Sequence, residues 1–158
     1  MYFDELDLND NVLDALYDMR FDTCTPVQEK CIPEILEGHD VLGVAQTGTG
    51  KTAAYLLPVL SKLDDGGYPK DAINCVIMSP TRELAQQIYD NFVLYGKKLP
   101  VYPTVIFGGV NQQGQVNALR RGADVVIACP GRLWDLMNQG FVHLDKVETF
   151  VLDEADRM

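Results

Sequence analysis

The stretch Ala45-Gln46-Thr47-Gly48-Thr49-Gly50-Lys51-Thr52 decides the fold of this 158-residue chain. It follows the apolar run Val41-Leu42-Gly43-Val44, which predicts a buried strand, and precedes residues 53–57, which can open a helix. A strand, a glycine-rich turn ending in Lys-Thr and a helix are typical of a phosphate-binding loop. The glycines let several backbone N–H groups point at one anion, and the helix N-terminus adds partial positive charge. We therefore expect Lys51 to contact the outer phosphates of a nucleotide and Thr52 to bind Mg²⁺.

The composition is that of a globular chain. Hydrophobic residues make up 47% of it, which is enough for a sizeable core. The N-terminus has no basic region followed by an apolar run, and no stretch approaches membrane-spanning length. The four cysteines form no C-x-x-C pair, so we interpret them as free thiols. These features predict a cytoplasmic protein, with the nucleus as the alternative, and no membrane partner.

The charge balance limits how the chain can bind nucleic acid. Thirteen Lys and Arg against 23 Asp and Glu give a net charge of −10. This excess of acid argues against a broad nucleic-acid-binding surface. It leaves open contact with a phosphate backbone through a few amides, hydroxyls and helix N-termini.

Apolar strands alternate with helices along the chain, and this order predicts an α/β fold with a parallel sheet flanked by helices. Asn9 or Asp10 is expected to cap the first helix, and Thr25-Pro26 should begin a second one that ends before Gly38. An exposed loop is predicted at 64–70. The predicted strands are 41–45, 72–79, 100–107, 124–128 and 147–152, and further helices are predicted at 80–95, 112–121 and 130–139.

A second informative stretch is Phe150-Val151-Leu152-Asp153-Glu154-Ala155-Asp156, in which an apolar strand ends in two carboxylates. Ligands of open α/β sheets gather at the carboxyl ends of strands, where the phosphate loop also lies. Asp153 can therefore hold Mg²⁺ together with Thr52, and Glu154 can orient or deprotonate a water that attacks the γ-phosphate. The alternative is an ordinary acidic turn after a strand.

Residues 151–156 match the signature of the DEAD-box ATP-dependent RNA helicases, and nearly the whole chain resembles the N-terminal RecA-like lobe of that family. Ala45 stands where the general loop pattern has a glycine, but alanine is usual there in this family. Cys129 replaces a usual threonine, and Arg20 and Cys24 replace a common glycine and proline. The other matching segments are Phe3, Phe21, Thr25-Pro26-Val27-Gln28, Pro80-Thr81-Arg82-Glu83-Leu84-Ala85, Gly108-Gly109 and Pro130-Gly131-Arg132.

The resemblance implies a role for each matching segment. Gln28 reads adenine, because an amide carries a donor and an acceptor together, and Phe21 stacks on the base. Asp156 couples the acidic signature to neighbouring motifs. The alternatives are a solvated glutamine, a core phenylalanine, a glycine pair that only ends a strand and a salt-bridged Arg132. The residues that would contact RNA are Pro80, Thr81, Arg82, Gly108, Gly109, Pro130, Gly131 and Arg132.

The function implied is that of the ATP-binding lobe of an RNA helicase, with ATP and Mg²⁺ as cofactors and a single RNA strand as partner. Lys51, Asp153 and Glu154 would be catalytic. The alternatives are a non-catalytic RNA clamp or scaffold, and a DNA helicase or other P-loop ATPase. We expect residues 1–158 to be a partial RecA-like domain that needs a second lobe, is nearly inactive alone and can self-associate through unpaired strand edges.

Overall fold

The computed structural model describes residues 1–41, 50–69 and 72–154. The chain divides into two compact units. The first comprises Met1–Gly67 and Asn91–Pro100, and the second comprises Tyr68–Asp90 and Val101–Met158. The predicted strand 41–45 lies outside the described residues beyond Val41. The expectation about unpaired strand edges near that strand therefore stays a prediction.

The described part of the first unit is mainly helical. A short 3-10 turn at Phe3–Glu5 precedes helix α1 (Asp10–Asp18), helix α2 (Pro26–Leu36) and helix α3 (Lys51–Asp65). Helix α2 packs on α3, and α1 also contacts α3. The side chains that form the core of this unit include Val12, Ala15, Leu16, Ile32, Leu56, Leu57 and Leu60.

Both predicted caps in this unit are confirmed. The Asn9 side chain accepts a hydrogen bond from the Val12 amide, and the Thr25 side chain accepts one from the Gln28 amide with Pro26 at the first helical position. These bonds satisfy N–H groups that a helix N-terminus otherwise leaves without partners.

The predicted loop at 64–70 begins too early, because α3 continues through Asp65. The Asp64 carboxylate accepts hydrogen bonds from the side-chain amides of Asn9 at 2.7 Å and Asn11 at 2.9 Å. These bonds come from residues more than fifty positions away in the sequence, so local turn signals do not reveal them.

The second unit contains a parallel four-stranded sheet in the order β2-β3-β1-β4. The strands are β1 (Cys75–Met78), β2 (Pro103–Ile106), β3 (Val125–Ala128) and β4 (Thr149–Leu152). Helix α4 (Arg82–Tyr95) begins in this unit, and its residues from Asn91 onward are counted in the first, whereas α5 (Gln113–Arg121) and α6 (Pro130–Asn138) belong to the second unit throughout. The predicted parallel sheet with flanking helices is therefore confirmed.

Each strand is shorter than its predicted span, because the flanking residues make irregular bonds. The Asp124 carbonyl, for example, accepts from both Asn74 and Cys75 amides, and its carboxylate accepts from the Tyr102 amide at 2.9 Å. The sequence spans predicted as strands therefore include flanking residues that bond to neighbouring strands without continuing the regular hydrogen-bond pattern of the sheet.

The core of the second unit fixes the position of the sheet edge at which all four strands end. Val76, Val126 and Ile106 from the strands pack with Val116 from α5 and Leu136 from α6. Parallel strands end at the same edge, so the residues that follow β1, β2, β3 and β4 emerge together there. Within residues 1–41, 50–69 and 72–154, no helix is both long enough and apolar enough to cross a membrane.

Candidate functional site

Gln28 in the first unit is buried and is bonded at both ends of its side-chain amide. Its side chain is 6% exposed, so it is not a solvated glutamine. Its Oε1 accepts from the Thr25 amide at 2.9 Å, and its Nε2 donates to the Gly50 carbonyl at 3.2 Å, 22 positions away. An amide has a second N–H and a second lone pair, so Gln28 keeps one donor and one acceptor position beyond these bonds.

Gly50 is required at its position for two reasons. It precedes α3 with φ of +83°, a left-handed conformation that favours glycine. A Cβ placed there would also collide with the Gln28 amide and lie 3.0 Å from the Thr25 Oγ1 atom. The glycine therefore permits the contact that ties Gln28 to the start of α3.

Lys51 and Thr52 are the first two residues of α3, and both are half-buried. Their position at a helix N-terminus is where an anion is favoured by the helix dipole and by N–H groups not used within the helix. The predicted phosphate-binding residues Ala45, Gln46, Thr47, Gly48 and Thr49 lie outside the described residues.

Phe21 presents an accessible ring directly after a strained turn. It is 46% exposed, so it is not a core phenylalanine. Its amide donates to the Leu16 carbonyl at 2.9 Å, and the preceding Arg20 has φ of +59°. Arg20 thus adopts the left-handed conformation for which a glycine is suited, at the point where the family commonly has one.

Asp153 and Glu154 follow β4 in the second unit. Asp153 is 3% exposed, and its amide donates to the Met78 carbonyl at 2.9 Å, one step beyond the ladder between β1 and β4. Glu154 has φ of +51°, which is uncommon for a residue with a side chain. This conformation occurs both in ordinary turns and at functional sites, so the acidic turn stays the alternative. Asp156 lies outside the described residues.

Arg82 begins α4 at the carboxyl edge of the sheet. Its guanidinium lies over the Phe107 ring, 5.4 Å from the ring centroid. Gly109 has φ of +80°, and a Cβ there would lie 3.3 Å from the Arg82 Nη1 atom. The glycine therefore does more than end a strand, because it lets the chain pass close to this arginine.

Thr81 and Pro80 lead into the same helix. The Thr81 hydroxyl accepts from the Leu84 amide at 3.2 Å, and the Thr81 carbonyl accepts from the Ser79 hydroxyl at 3.1 Å. Thr81 therefore caps α4, while its hydroxyl proton is still available to donate. This arrangement orients the helix N-terminus that carries Arg82.

Arg132 is held by two neutral acceptors rather than by a carboxylate. Its Nη2 donates to the Val110 carbonyl at 2.8 Å, and its Nη1 donates to the Gln115 Oε1 atom at 3.2 Å. The predicted alternative of a salt-bridged Arg132 does not match these contacts. Two of its five N–H donors are used in these bonds.

Cys129, Pro130 and Gly131 form the start of α6. Cys129 occupies the N-cap position, but its side chain makes no cap hydrogen bond. Burial, with the Glu83 carboxylate adding to it, raises the pKa of the Cys129 thiol. The thiol is therefore neutral near pH 7.

A Cβ at Gly131 or Gly108 would meet nothing within 4 Å, which leaves open space beside both backbones.

The four cysteines, Cys24, Cys31, Cys75 and Cys129, are all free thiols, as the sequence predicts. Cys75 is fully buried in β1, and burial raises its pKa to about 12. It therefore behaves as a small core residue rather than a nucleophile.

Two further residues of this edge, Phe107 and Gln115, were not predicted from the sequence. Phe107 directly precedes the glycine pair in the sequence, and this adjacency is a signal that could have been used, whereas its contact with Arg82 is seen only in the fold. Gln115 carries no such signal in a single sequence, because its bonds to Arg132 and Phe107 depend on the packing of α5.

Comparison with protein families and with curated proteins gives matches over most or all of the chain. The model of the DEAD/DEAH box helicase family matches residues 25–158. The chain is 43% identical to the ATP-dependent RNA helicase CshA of Limosilactobacillus reuteri over all 158 of its residues, which is 31% of that protein. It is 44% identical to the ATP-dependent RNA helicase DBP3 of Debaryomyces hansenii over 99% of the chain and 29% of that protein. The chain therefore spans about 30% of the length of these curated relatives.

A solved structure shows the same fold. The crystal structure of a DEAD box protein from the hyperthermophile Methanococcus jannaschii aligns with a TM-score of 0.91 and 36% sequence identity. The alignment covers 100% of this chain and 42% of that one. The fold is therefore that of a RecA-like lobe. With a family model over residues 25–158 and relatives above 40% identity along nearly its whole length, the chain belongs to the DEAD/DEAH box helicase family.

Proposed function

We propose that the full-length protein is an ATP-dependent RNA helicase and that this chain supplies its ATP-binding lobe. The observation that carries the proposal is the buried Gln28 amide, bonded at once to Thr25 and to the Gly50 carbonyl at the start of α3. The names of the relatives, which are ATP-dependent RNA helicases, support it. Nothing in the described part of the chain favours the alternative of a non-catalytic clamp.

Gln28 would select ATP through its remaining donor and acceptor. Adenine presents a ring acceptor beside an exocyclic donor, whereas guanine presents two acceptors on the same edge. The Gln28 Oε1 atom would therefore face a lone pair of guanine instead of an N–H group. Phe21, with its exposed ring, would stack on the base.

Lys51 and Thr52 would act on the phosphates from the N-terminus of α3, together with the backbone of 45–50. Lys51 would neutralise charge on the outer phosphates, and the Thr52 hydroxyl would bind Mg²⁺. In the second unit, the buried Asp153 carboxylate is also an oxygen ligand of the type that Mg²⁺ prefers. Bound Mg²⁺ would neutralise charge that develops on the phosphates during hydrolysis.

Glu154 would hold the attacking water. A carboxylate within hydrogen-bond reach of a water can orient it and accept its proton. The left-handed backbone at Glu154 sets the direction of its side chain relative to β4. This conformation is unfavourable for a residue with a side chain, and its occurrence at functional sites supports the proposed role. Asp156 would couple this segment to neighbouring motifs.

Arg82, Gly109 and Arg132 would contact the backbone of a single RNA strand. Arginine donates to phosphate oxygens, and glycine lets a backbone approach closely, so such contacts carry no sequence information. They are also compatible with a net charge of −10, because they need few cations. The flanking residues that would take part are Pro80, Thr81, Gly108, Pro130 and Gly131.

The remaining parts of the proposal concern partners and location. We propose that a second RecA-like lobe of the same protein completes the reaction, that the chain alone is nearly inactive and can self-associate, and that the protein is cytoplasmic. Light scattering of the isolated chain tests the self-association directly.

Gln28→Glu in the full-length protein tests the nucleotide assignment. A glutamate at this position can still accept from the Thr25 amide, so the cap of α2 is kept, but the donor to the Gly50 carbonyl is removed. We expect ATP affinity to fall about tenfold, or about 1.4 kcal/mol, and preference for ATP over GTP to weaken.

The matched control is Gln87→Glu, an exposed glutamine of α4 that takes the same change of charge. It should leave nucleotide binding unchanged when both variants are titrated with fluorescent ATP and GTP analogues. An unaltered ATP-to-GTP preference in Gln28→Glu would remove Gln28 from adenine recognition.

A further inference from the structure

Gln115 connects Arg82 and Arg132, the two arginines of the predicted RNA-contacting motifs. Its Oε1 atom accepts from the Arg132 Nη1 atom at 3.2 Å, and its Nε2 atom donates to the Phe107 carbonyl at 2.9 Å. The Phe107 ring in turn lies under the Arg82 guanidinium. One amide on α5 thus contacts a guanidinium on one side and, on the other, the residue that supports a second guanidinium.

Arg132 closes the same network from the other end. Its Nη2 donates to the Val110 carbonyl at 2.8 Å, three residues after Phe107. The segment 107–110 is therefore held at both ends, by Gln115 at Phe107 and by Arg132 at Val110. Gly109, which lies between them with φ of +80°, passes close to Arg82.

The amide is the chemical group that this position needs. A carboxylate would offer Arg132 an acceptor but would face the Phe107 carbonyl with a lone pair, and an ammonium would donate to that carbonyl but repel Arg132. Gln115 is half-buried, so its two bonds are partly shielded from competition with water.

We infer that Gln115 is a positioning residue for RNA binding, which fixes Arg132 directly and Arg82 through Phe107, so that both guanidiniums face one phosphate backbone together. The inference rests on the proposed function, because it assigns a role in RNA binding to the surroundings of two arginines proposed to bind RNA. Gln115 itself is not proposed to touch the RNA.

The test is Gln115→Leu in the full-length protein, measured by fluorescence anisotropy with a fluorescein-labelled oligouridine at several salt concentrations. The variant removes no charge, so a merely structural role predicts no change in the salt dependence of binding. Loss of positioning predicts roughly three- to tenfold weaker binding. It also predicts a log–log salt slope that becomes shallower by up to about 0.7 for each phosphate that the arginines no longer neutralise.

Gln113→Leu is the matched control. It makes the same substitution two residues earlier on α5, where the exposed Gln113 side chain bonds Asn117 of the same helix at 2.9 Å. Its affinity and salt slope should equal those of the parent. If Gln115→Leu lowers the melting temperature, Gln115→Met serves as the second variant, because its unbranched side chain fills the same space without an amide.

Arg82→Ala and Arg132→Ala separate this inference from the proposed function. Suppose that both arginine variants bind oligouridine less tightly, while Gln115→Leu and Gln115→Met match the parent in affinity and salt slope. The inference about Gln115 is then wrong, but the proposed RNA contacts of Arg82 and Arg132 are supported. Weaker binding by the Gln115 variants with an unchanged slope also overturns it. If neither arginine variant weakens binding, the proposed RNA contacts of Arg82 and Arg132 are wrong.

Discussion

The two units hold their candidate functional side chains in opposite ways. Gln28 in the first unit is buried, and both ends of its amide are bonded to backbone. Arg82 in the second unit is exposed, and it lies against an aromatic ring and a nearby glycine. The difference matches the proposed tasks. Discrimination between bases needs fixed donors and acceptors, whereas contact with a phosphate backbone needs accessible charge.

Each candidate side chain is nevertheless held by a contact with a distant part of the chain. Gln28 combines a cap within one turn of α2 with a bond to the Gly50 carbonyl 22 positions away. Arg132 is held by Gln115 and Val110, which are 17 and 22 positions away. The predictions that follow perturb the two units separately.

The largest expected effect is in the second unit. Glu154→Gln in the full-length protein should lower RNA-stimulated ATP turnover by at least roughly a hundredfold, because the amide cannot accept a proton from water. Binding of ATP should persist, since Gln28 and the start of α3 are unchanged. Steady-state hydrolysis and equilibrium nucleotide titration measure the two quantities separately.

Glu148→Gln is the control for that prediction, because Glu148 is an exposed glutamate at the other end of β4. It should hydrolyse ATP at the parent's rate. Equal turnover by Glu154→Gln and the parent would exclude Glu154 from the chemical step.

The next largest effect is expected from a substitution that disrupts the contact between Gln28 and Gly50 in the first unit. Gly50→Ala should lower the free energy of unfolding by about 2–3 kcal/mol, since its Cβ would displace the Gln28 amide and strain a left-handed residue. Gly38→Ala, at φ of +86° with nothing within 4 Å, should cost only about 1 kcal/mol. Urea unfolding of both variants isolates the cost of displacing Gln28, and equal losses would refute that explanation.

A smaller effect of opposite sign is expected at the turn before Phe21. Arg20→Gly should raise the free energy of unfolding by about 0.5 kcal/mol, because relief of the left-handed strain exceeds the greater chain entropy of glycine in the unfolded state. Lys30→Gly, an exposed position within α2, should instead destabilise the chain by about 1 kcal/mol. Thermal unfolding compares the two, and a lower melting temperature for Arg20→Gly contradicts the prediction.

The smallest effect is a pH dependence at the end of α2. The Glu34 carboxylate, 2.7 Å from His39 Nδ1, raises the pKa of that imidazole above its ordinary 6.5. A raised folded-state pKa contributes stability that is fully present below pH 6.5 and is lost as the pH rises through the raised value.

Glu34→Gln should therefore lower the melting temperature more at pH 5 than at pH 8. Glu37→Gln should have a weaker pH dependence, since its carboxylate is 3.7 Å from the same nitrogen. NMR titration of the His39 pKa in the parent and the two variants checks the cause. A His39 pKa that is the same in Glu34→Gln as in the parent would disprove it.

The parts of the fold that could be predicted are those that depend on neighbouring residues. The caps at Asn9 and Thr25 follow from side chains that reach backbone groups within one turn. The alternation of apolar strands and helices likewise predicts the parallel sheet. The end of α3 at Asp65 could not be predicted, because Asn9 and Asn11 reach its last turn from a distant part of the chain.

The sequence by itself therefore determined the family motifs, the helix starts and the class of the fold, because each is encoded in adjacent residues. Only the tertiary structure decided that the Gln28 amide meets the Gly50 carbonyl, that β1 lies between β3 and β4, and that Gln115 joins Arg132 to Phe107. These contacts join residues far apart in the chain. Their geometry is set by how the helices and strands pack, and no local pattern of residue types specifies it.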